Sequence, residues 1–398
     1  MRPRFDLVIS SDVTVAHRTE CEAPLHKLAG VKKNMSEDPR PVIETIHKTI
    51  WRPPCRQRAS CRVLICLIFA LGAVSSNAIG QDTDRAALIE RAKKETEVVW
   101  YTSAGLQDSN PMAEAFQKDY PFIRVNVIRS GSGVLINRIL NEARAQKGLF
   151  DVLNTNDESV LPLKKRDLLA RYVSSEANFY DDDLKDKEGY WHAAYVVPWF
   201  LGYNTRMVKK DELPKNYEDL LQPKWRGRKI ALGTDNGSLI LAGMIRVWGK
   251  EKAVRYFQQL AKQEPALQAG APSSRIQLLA GGEFPLTLAS GNTLQTFVSR
   301  GAPVDWLPLE PVFVQLNTIM LAAQSRHPNA TKLFIDFVLS KKGQEMIRSF
   351  HRVPARTGVD AEPPRIFKGY KRLVQDIEAA ANADANTKLY NEILGIRQ

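Results

Sequence analysis

Between Glu97 and Asn156 short β-rich runs alternate with stretches of helical periodicity, and this rhythm narrows the possible architectures more than any single motif does. "EVVWY" (97–101), "IRVNVI" (123–128) and "FDVLNTN" (150–156) read as strands. "PMAEAFQKDY", with Pro111 as a helix start, and "VLINRILNEARAQ", with Leu135, Ile136, Ile139, Leu140 and Ala143 on one side, read as helices between them. Asp82 to Lys94 reads as an earlier helix behind an Asp cap. Strand, helix, strand, helix, strand at this pace predicts α/β units around mostly parallel sheets. "WHAAYVVPWFLGYNT" (191–205) interrupts the rhythm with one long β-rich run. It resumes through "RKIAL", "SLILAGMIRVWG", "KAVRYFQQLAKQ", "SRIQLLAGG" and "FPLTLAS", and a second long run follows, "VFVQLNTIMLAA" (312–323). "PNATKLFIDFVLSKKGQEMIRSF" then predicts two helices broken at Lys341–Gly343. Two α/β lobes joined by two extended crossings fit this order.

The formal net charge is +12, a balance that points towards nucleic acid or an acidic surface. The N-terminus weakens that reading. Residues 63–74, "VLICLIFALGAV", form an apolar run preceded by Arg56, Arg58 and Arg62 and followed by the small residues Ser75 to Ala78. A basic flank, an apolar core and a small-residue exit predict a secretory signal peptide, and the run is shorter than the roughly 20 residues of a spanning helix. Residues 1–55 show no sustained periodicity, and initiation at Met35 is one explanation of their length. With cleavage after Ala78 the remainder carries 44 basic against 37 acidic residues, without a dense basic run, and nucleic acid is not an expected partner. Cys21, Cys55, Cys61 and Cys66 all precede that point, so the mature chain would have neither disulfides nor a thiolate site.

Chemistry-bearing residues collect where predicted strands end. "RSGSG" (129–133) stands between a strand and a helix. The first amides of a helix lack internal partners and carry partial positive charge. Gly131 and Gly133 permit close approach, Ser130 and Ser132 add hydroxyls, and Arg129 adds a counter-charge, the make-up of an anion seat. The plain alternative is N-capping by Ser132 with glycine for the turn. "YTSAG" (101–105), "LNTNDES" (153–159) and "GTDNGS" (233–238) repeat the arrangement. Ligands of open α/β sheets gather at the carboxyl ends of strands, so these turns predict a cleft between the lobes. Catalytic motifs are lacking. After residue 78 the histidines are His192, His327 and His351. The best general-base pairing is Asp157 or Asp235 with His192, and a packed His192 and a surface His327 are the simpler readings.

Taken in order, "VVWYTSAG", "FQKDYPFIRVNVIRSGSGVLINRI", "FDVLNTND", "VVPWFLGYNTRMV", "YEDLLQPKWRGRKIALGTDNGS", "HPNATKLFIDFVLSKKGQEMI" and "VPARTGV" resemble the periplasmic solute-binding proteins of ABC importers, in the branch related to ferric-iron-binding proteins. The match spans about residues 82–360. The resemblance implies an α/β, two-lobed periplasmic binding protein-like II fold with mostly parallel sheets and two hinge crossings. It implies 1–78 as extension and signal, 82–197 as the first part of lobe 1, 204–310 as lobe 2, and 311–398 as the second crossing with C-terminal helices returning to lobe 1. It further implies a periplasmic, monomeric, non-enzymatic receptor without a cofactor, whose partners are a small-molecule ligand and the permease and ATPase of an importer. Hinge bending is expected at Val196–Tyr203 and Pro311–Asn317. Thr102, Ser103, Ser130, Gly131, Ser132 and Asn156 are the expected contacts of the first lobe, and Thr234, Asn236, Ser238, Ser290 and Asn292 those of the second. Trp199 would line the cleft at the hinge, and Arg129 or Arg275 would neutralise an anion unless they are merely solvated. Iron binders of the branch present paired tyrosines after a strand like "GEFPLTLA". Here "SGNTLQTF" (290–297) has none, which turns the expectation from Fe(III) to a phosphorylated or carboxylated compound. Iron uptake, a secreted hydrolase on the same scaffold, and a sensor's binding module are the alternatives.

Overall fold

The computed structural model describes residues 84–397 except 235–236, 271 and 378–381. The signal-like segment, Asp235 and Asn236 lie outside the described residues. Helix α1 is described from 84 to 92. The first α/β run follows as β1 (Glu97–Thr102), α2 (Leu106–Asp119), β2 (Arg124–Arg129), α3 (Ser132–Arg144), β3 (Val152–Asn156), α4 (Val160–Lys164) and the short β4 (Leu169–Ala170). The first crossing is β5 (His192–Asn204). The second run comprises β6 (Ile230–Gly233), α5 (Ser238–Trp248), α6 (Lys250–Ala261), β7 (Ala266–Gln268), α7 (Pro272–Gly281), β8 (Leu286–Ser290), α8 (Gly291–Ser299) and β9 (Val304–Leu307). Then come the second crossing β10 (Val312–Ala322), α9 (Pro328–Leu339), α10 (Lys341–Ser349), β11 (Val353–Pro354), β12 (Arg372–Val374) and α11 (Ala383–Leu394).

The strands follow one curled path in the order β2-β1-β3-β10-β5-β8-β6-β7. β1, β2 and β3 run parallel, as do β6, β7 and β8. Along this path the crossings run antiparallel to their neighbours, and β12 adds to β10 in parallel. β5 is 13 residues long and would reach about 40 Å at roughly 3.3 Å per residue, enough to serve two sheets. Its first half pairs with β10, and from Trp199 onwards it pairs with β8 and β9. Pro198, which has no N–H for a ladder, sits at that change of partner. Gly202 serves the close approach of α8, since a Cβ there would lie 2.5 Å from Leu294 Cδ2.

Alternation along β1 sends Trp100 into a cluster with Phe116 and Phe334, and Tyr101 into one on the opposite face with Leu135, Ile139 and Leu163. A separate cluster of Ile240, Leu241, Met244, Phe257 and Tyr390 builds the second lobe.

Three local expectations are corrected. Pro111 lies inside α2 rather than at its start, because the helix already begins behind Gly105. The break after α9 falls at Ser340, whose Oγ accepts from Gly343 N–H and so starts α10 there. α11 does not return to the first lobe; it packs on α5 and α6, because Leu389, Tyr390, Ile393 and Leu394 complete the second lobe's apolar cluster.

Candidate functional site

Strand register brings the two sets of carboxyl ends together. Asn156, at the end of β3, is opposite Asn317 of β10, which is opposite Tyr195 of β5. Ser290, at the end of β8, is opposite Trp199. Tyr195 and Trp199 are four residues apart on one strand, about 13 Å at roughly 3.3 Å per residue. The predicted turns of both lobes therefore face one short stretch of the crossing ladder.

On the first lobe a polar network forms the floor. Asn154 Nδ2 donates to Asn317 Oδ1 at 2.5 Å and to Thr318 O at 2.9 Å. Thr102 Oγ1 donates to Asn154 Oδ1 and accepts from Ala104 N–H, so the fully buried hydroxyl is a strut whose only donor is spent inside the protein. Ser103 is half-buried and its Oγ lies 3.5 Å from Asn317 Nδ2. Asn156 is half-buried, with Nδ2 on Glu158 Oε1.

The anion-seat turn is open. α3 starts at Ser132 behind Gly131, and no side chain caps it. The capping reading of Ser132 is thus corrected: the residue stands one position inside the helix. Gly131 has φ −66°, which any residue adopts, and a Cβ at Gly131 or Gly133 would meet nothing within 4 Å. Glycine here keeps the helix start bare. Arg129 is exposed at the end of β2.

On the second lobe Ser290 stands at the N-cap position of α8, and its Oγ bonds Thr293 Oγ1 at 2.7 Å rather than a helix amide. Asn292 Nδ2 donates to Val196 O on the crossing strand, while its buried Oδ1 has no partner among the described residues. Trp199 is 4% exposed, and its indole N–H is likewise without a partner among the described residues. As cross-strand partners, Trp199 and Ser290 share one face of the sheet. The two orphans do not share one spot: Trp199 packs in the apolar cluster with Leu201, Tyr217 and Trp225, whereas α8, which carries Asn292, packs on Phe200 and Gly202 of the alternate face. Thr234 is half-buried, and Ser238 Oγ accepts from Thr387 Oγ1 of α11 at 3.1 Å. Arg275 is not a solvated cation: it is 2% exposed, with Nε on Thr287 Oγ1 and Nη2 on Leu288 O beneath β8.

Sequence reasoning passed over Asn317, Glu158 and Gln315, and took Asp157 only as a general base for His192. Asp157 is fully buried and accepts Leu316 N–H of β10 at 3.0 Å, while Glu158 Oε2 accepts from Gln315 Nε2. Burial first, and then the neighbouring Glu158 charge, push the Asp157 carboxyl well above the ordinary carboxylate range. Strand-end "ND" reads as turn chemistry, so no local signal separates this acid from a solvated one.

The proposed base pairing is not assembled. His192 is opposite Ile319 of β10, on the side away from β3, whereas Asp157 follows β3. Two strand spacings, about 10 Å, separate β3 from β5. Desolvation pushes His192 down to about 4, as expected of a packed imidazole. Among the described residues no group of three His, Cys, Asp or Glu side chains is placed to hold a metal ion. Tyr195, at the ladder, has its phenol pushed up by burial, which disfavours phenolate.

The sequence signature described as "Bacterial extracellular solute-binding protein" matches residues 127–378. The chain belongs to this family. Within it, the chain is 24% identical over 307 residues to iron uptake protein A1 of Synechocystis, covering 73% of this chain and 84% of that one. It is 21% identical over 265 residues to an Fe(3+)-binding periplasmic protein of Serratia marcescens, covering 62% and 75%. Among solved structures it superposes on iron-bound HitA of Pseudomonas aeruginosa with TM-score 0.66 at 21% identity, covering 75% of this chain and 99% of that one. It also superposes on AfuA of Actinobacillus pleuropneumoniae with fructose-6-phosphate bound, with TM-score 0.61 at 20% identity, covering 76% and 99%. These solute-binding proteins share the two-lobed fold, and the two crossings described above are the strands that join its lobes.

Proposed function

We propose that this solute-binding protein is the periplasmic receptor of an ABC importer and captures a small organic anion, phosphorylated or carboxylated, for delivery to a membrane permease. The observation that carries the reading is the bare start of α3: unpaired helix amides behind Gly131 and Gly133, with the hydroxyls of Ser130 and Ser132 beside them. Across the ladder the second lobe offers the Ser290 hydroxyl and the start of α8. Neutral donors and helix dipoles suit an anion. Bending at Val196–Tyr203 and Pro311–Asn317 would bring both sets around one ligand and exclude water, and the closed shape would be what the permease recognises.

The names of the relatives favour a second reading, Fe(III) uptake. The hard cation wants anionic oxygen, and the exit of β8 supplies Ser290, Asn292 and Thr293 instead. A thermal-shift panel with ferric citrate, inorganic phosphate, sugar phosphates and small carboxylates separates the two. Saturation at 100 times Kd adds about 2.7 kcal/mol. A shift with ferric ion alone would replace the anion reading, and turnover of a compound without retention would point to the hydrolase.

Ser132→Ala is expected to weaken an anionic ligand by about 1–3 kcal/mol, one hydrogen bond's worth, with unchanged unfolding temperature. Calorimetric titration of wild type and variant checks this, and equal affinities would remove the hydroxyl from the site. Trp199→Phe, a large-to-small change inside a filled cluster, is expected to lower unfolding stability by about 1–3 kcal/mol, measured by denaturant unfolding. A variant as stable as wild type would show that removing the orphaned N–H offsets the lost packing.

A further inference from the structure

Among the described residues the crossing ladder opens at one window only. Asn156 is the sole position of β3 that is not buried, Gln315 the sole one of β10, and Tyr195 and Val197 the sole ones of β5. Register makes them neighbours: Asn156 is opposite Asn317, Asn317 opposite Tyr195, and Gln315 opposite Val197. Residues two apart on a strand share a face, so all of these lie on one side, while Val196 and Leu316 between them are buried.

Glu158 stands at this window. Asp157 accepts Leu316 N–H at 3.0 Å and so holds the short 3-10 turn Asp157–Ser159 against β10. Glu158 is half-buried; its Oε1 accepts from Asn156 Nδ2 at 3.3 Å and its Oε2 from Gln315 Nε2 at 3.2 Å. A carboxylate accepts and does not donate, so both amides turn their NH2 groups towards it and their carbonyl oxygens away. Those carbonyl oxygens accept nothing among the described residues, each amide keeps a second N–H, and each carboxylate oxygen keeps a further lone pair. Acceptors and donors thus stand side by side around one negative charge. A hydroxyl gives and receives a hydrogen bond and answers this mix, a bare alkyl tail leaves it unmet, and a second anionic group meets the Glu158 charge. The reach also fits. Ser130 N–H donates to Thr102 O and Ser103 N–H to Asn154 O, which sets the exits of β2, β1 and β3 side by side. Two strand spacings, about 10 Å, then separate the bare start of α3 from Glu158, a span that an anionic head with a six-carbon tail bridges.

We propose that Glu158 is a specificity-determining residue: with the amides of Asn156 and Gln315 it receives hydroxyl groups on the far end of the bound anion and rejects a second negative charge there. The proposal deepens the solute reading above and rests on it. A buried polar group left unpaired by the wrong ligand is what separates close analogues, so the hydroxylated tail is favoured over the bare one.

The test uses the whole protein and six-carbon probes that differ in their tails: hexyl phosphate, sorbitol 6-phosphate and hexane-1,6-diyl bisphosphate, with hexanoate and gluconate as the carboxylate pair. Calorimetric titration of the wild type is expected to show the hydroxylated member of a pair binding about tenfold tighter than the bare one, with the bisphosphate weaker than hexyl phosphate. Whether the phosphates or the carboxylates bind identifies the anionic head. Glu158→Gln should weaken the hydroxylated probe about tenfold, leave the bare one unchanged and strengthen the bisphosphate about threefold, at an unaltered unfolding temperature. Gln315→Met, which removes an amide and keeps the charge, should weaken the hydroxylated probe and leave the bisphosphate as in wild type; it decides the matter if Glu158→Gln does not fold. Equal wild-type affinities for hydroxylated and bare tails, a Glu158→Gln loss shared by both, or a loss for neither would each overturn the proposal. Failure of every probe on the wild type would instead count against the anion reading, and the proposal would fall with it.

Discussion

Acidification from pH 7 to pH 4 is expected to remove about 3 kcal/mol of folding stability through His192 alone. Burial lowers this imidazole from 6.5 to about 4, and each unit corresponds to about 1.36 kcal/mol. The folded state holds the ring neutral, so its contribution is complete above pH 6.5 and is lost as pH falls towards the folded value. Asp157 acts with the opposite sign. Its raised carboxyl contributes stability that is present below the ordinary carboxyl range and is lost as pH rises through the folded value. Wild-type curves therefore mix the two, and the comparison with His192→Phe isolates the imidazole. Denaturant unfolding at pH 7, 5.5 and 4 should show the variant losing about 3 kcal/mol less than wild type across that range. Parallel pH profiles would mean that His192 titrates normally and is not packed as described.

Gly343→Ala is expected to cost about 3 kcal/mol, the upper range for forcing an atom into a filled site. A Cβ there would lie 2.2 Å from Phe337 O and 2.6 Å from Val338 O, and backbone cannot swing aside as a side chain can. The effect reaches the first crossing strand. Gln344, next in sequence and fully buried, donates through Nε2 to Ala194 O of β5 and to Val338 O, and accepts from Ala355 N–H. Displacing α10 thus loosens the edge that steadies the first crossing strand. Thermal unfolding gives the cost, and exchange protection in peptides covering 192–198 should fall with it. A variant as stable as wild type would show that α9 and α10 can separate without loss.

Much of this architecture could be read from neighbours in the chain. A strand or helix announces itself within about ten residues, because side-chain periodicity is a local consequence of backbone geometry. The alternation from Glu97 to Asn156, the two long crossings and the polar turns at strand ends were legible for that reason, whereas the choice between a Ser132 cap and an uncapped start of α3 was not. Pro111 and the Lys341–Gly343 break were misplaced by a few residues because capping competes at closely similar positions.

What remained hidden is long-range. Asn154 meets Asn317 across 163 residues, and Tyr390 meets Gly233 across 157. Nothing in "LNTND" tells a buried strut from a ligand contact, and nothing in "TKLYNEI" announces a hydrogen bond to the end of a distant strand. The linear order of residues dictates which elements form and that their polar ends carry the chemistry. Which hydroxyl donates inside the protein, as Thr102 does to Asn154, and which helix start no side chain caps, as at Ser132, is settled only when strand register and helix docking bring remote groups within hydrogen-bonding distance. The reason is physical: a polar side chain has few bonds to give, and folding decides who receives them.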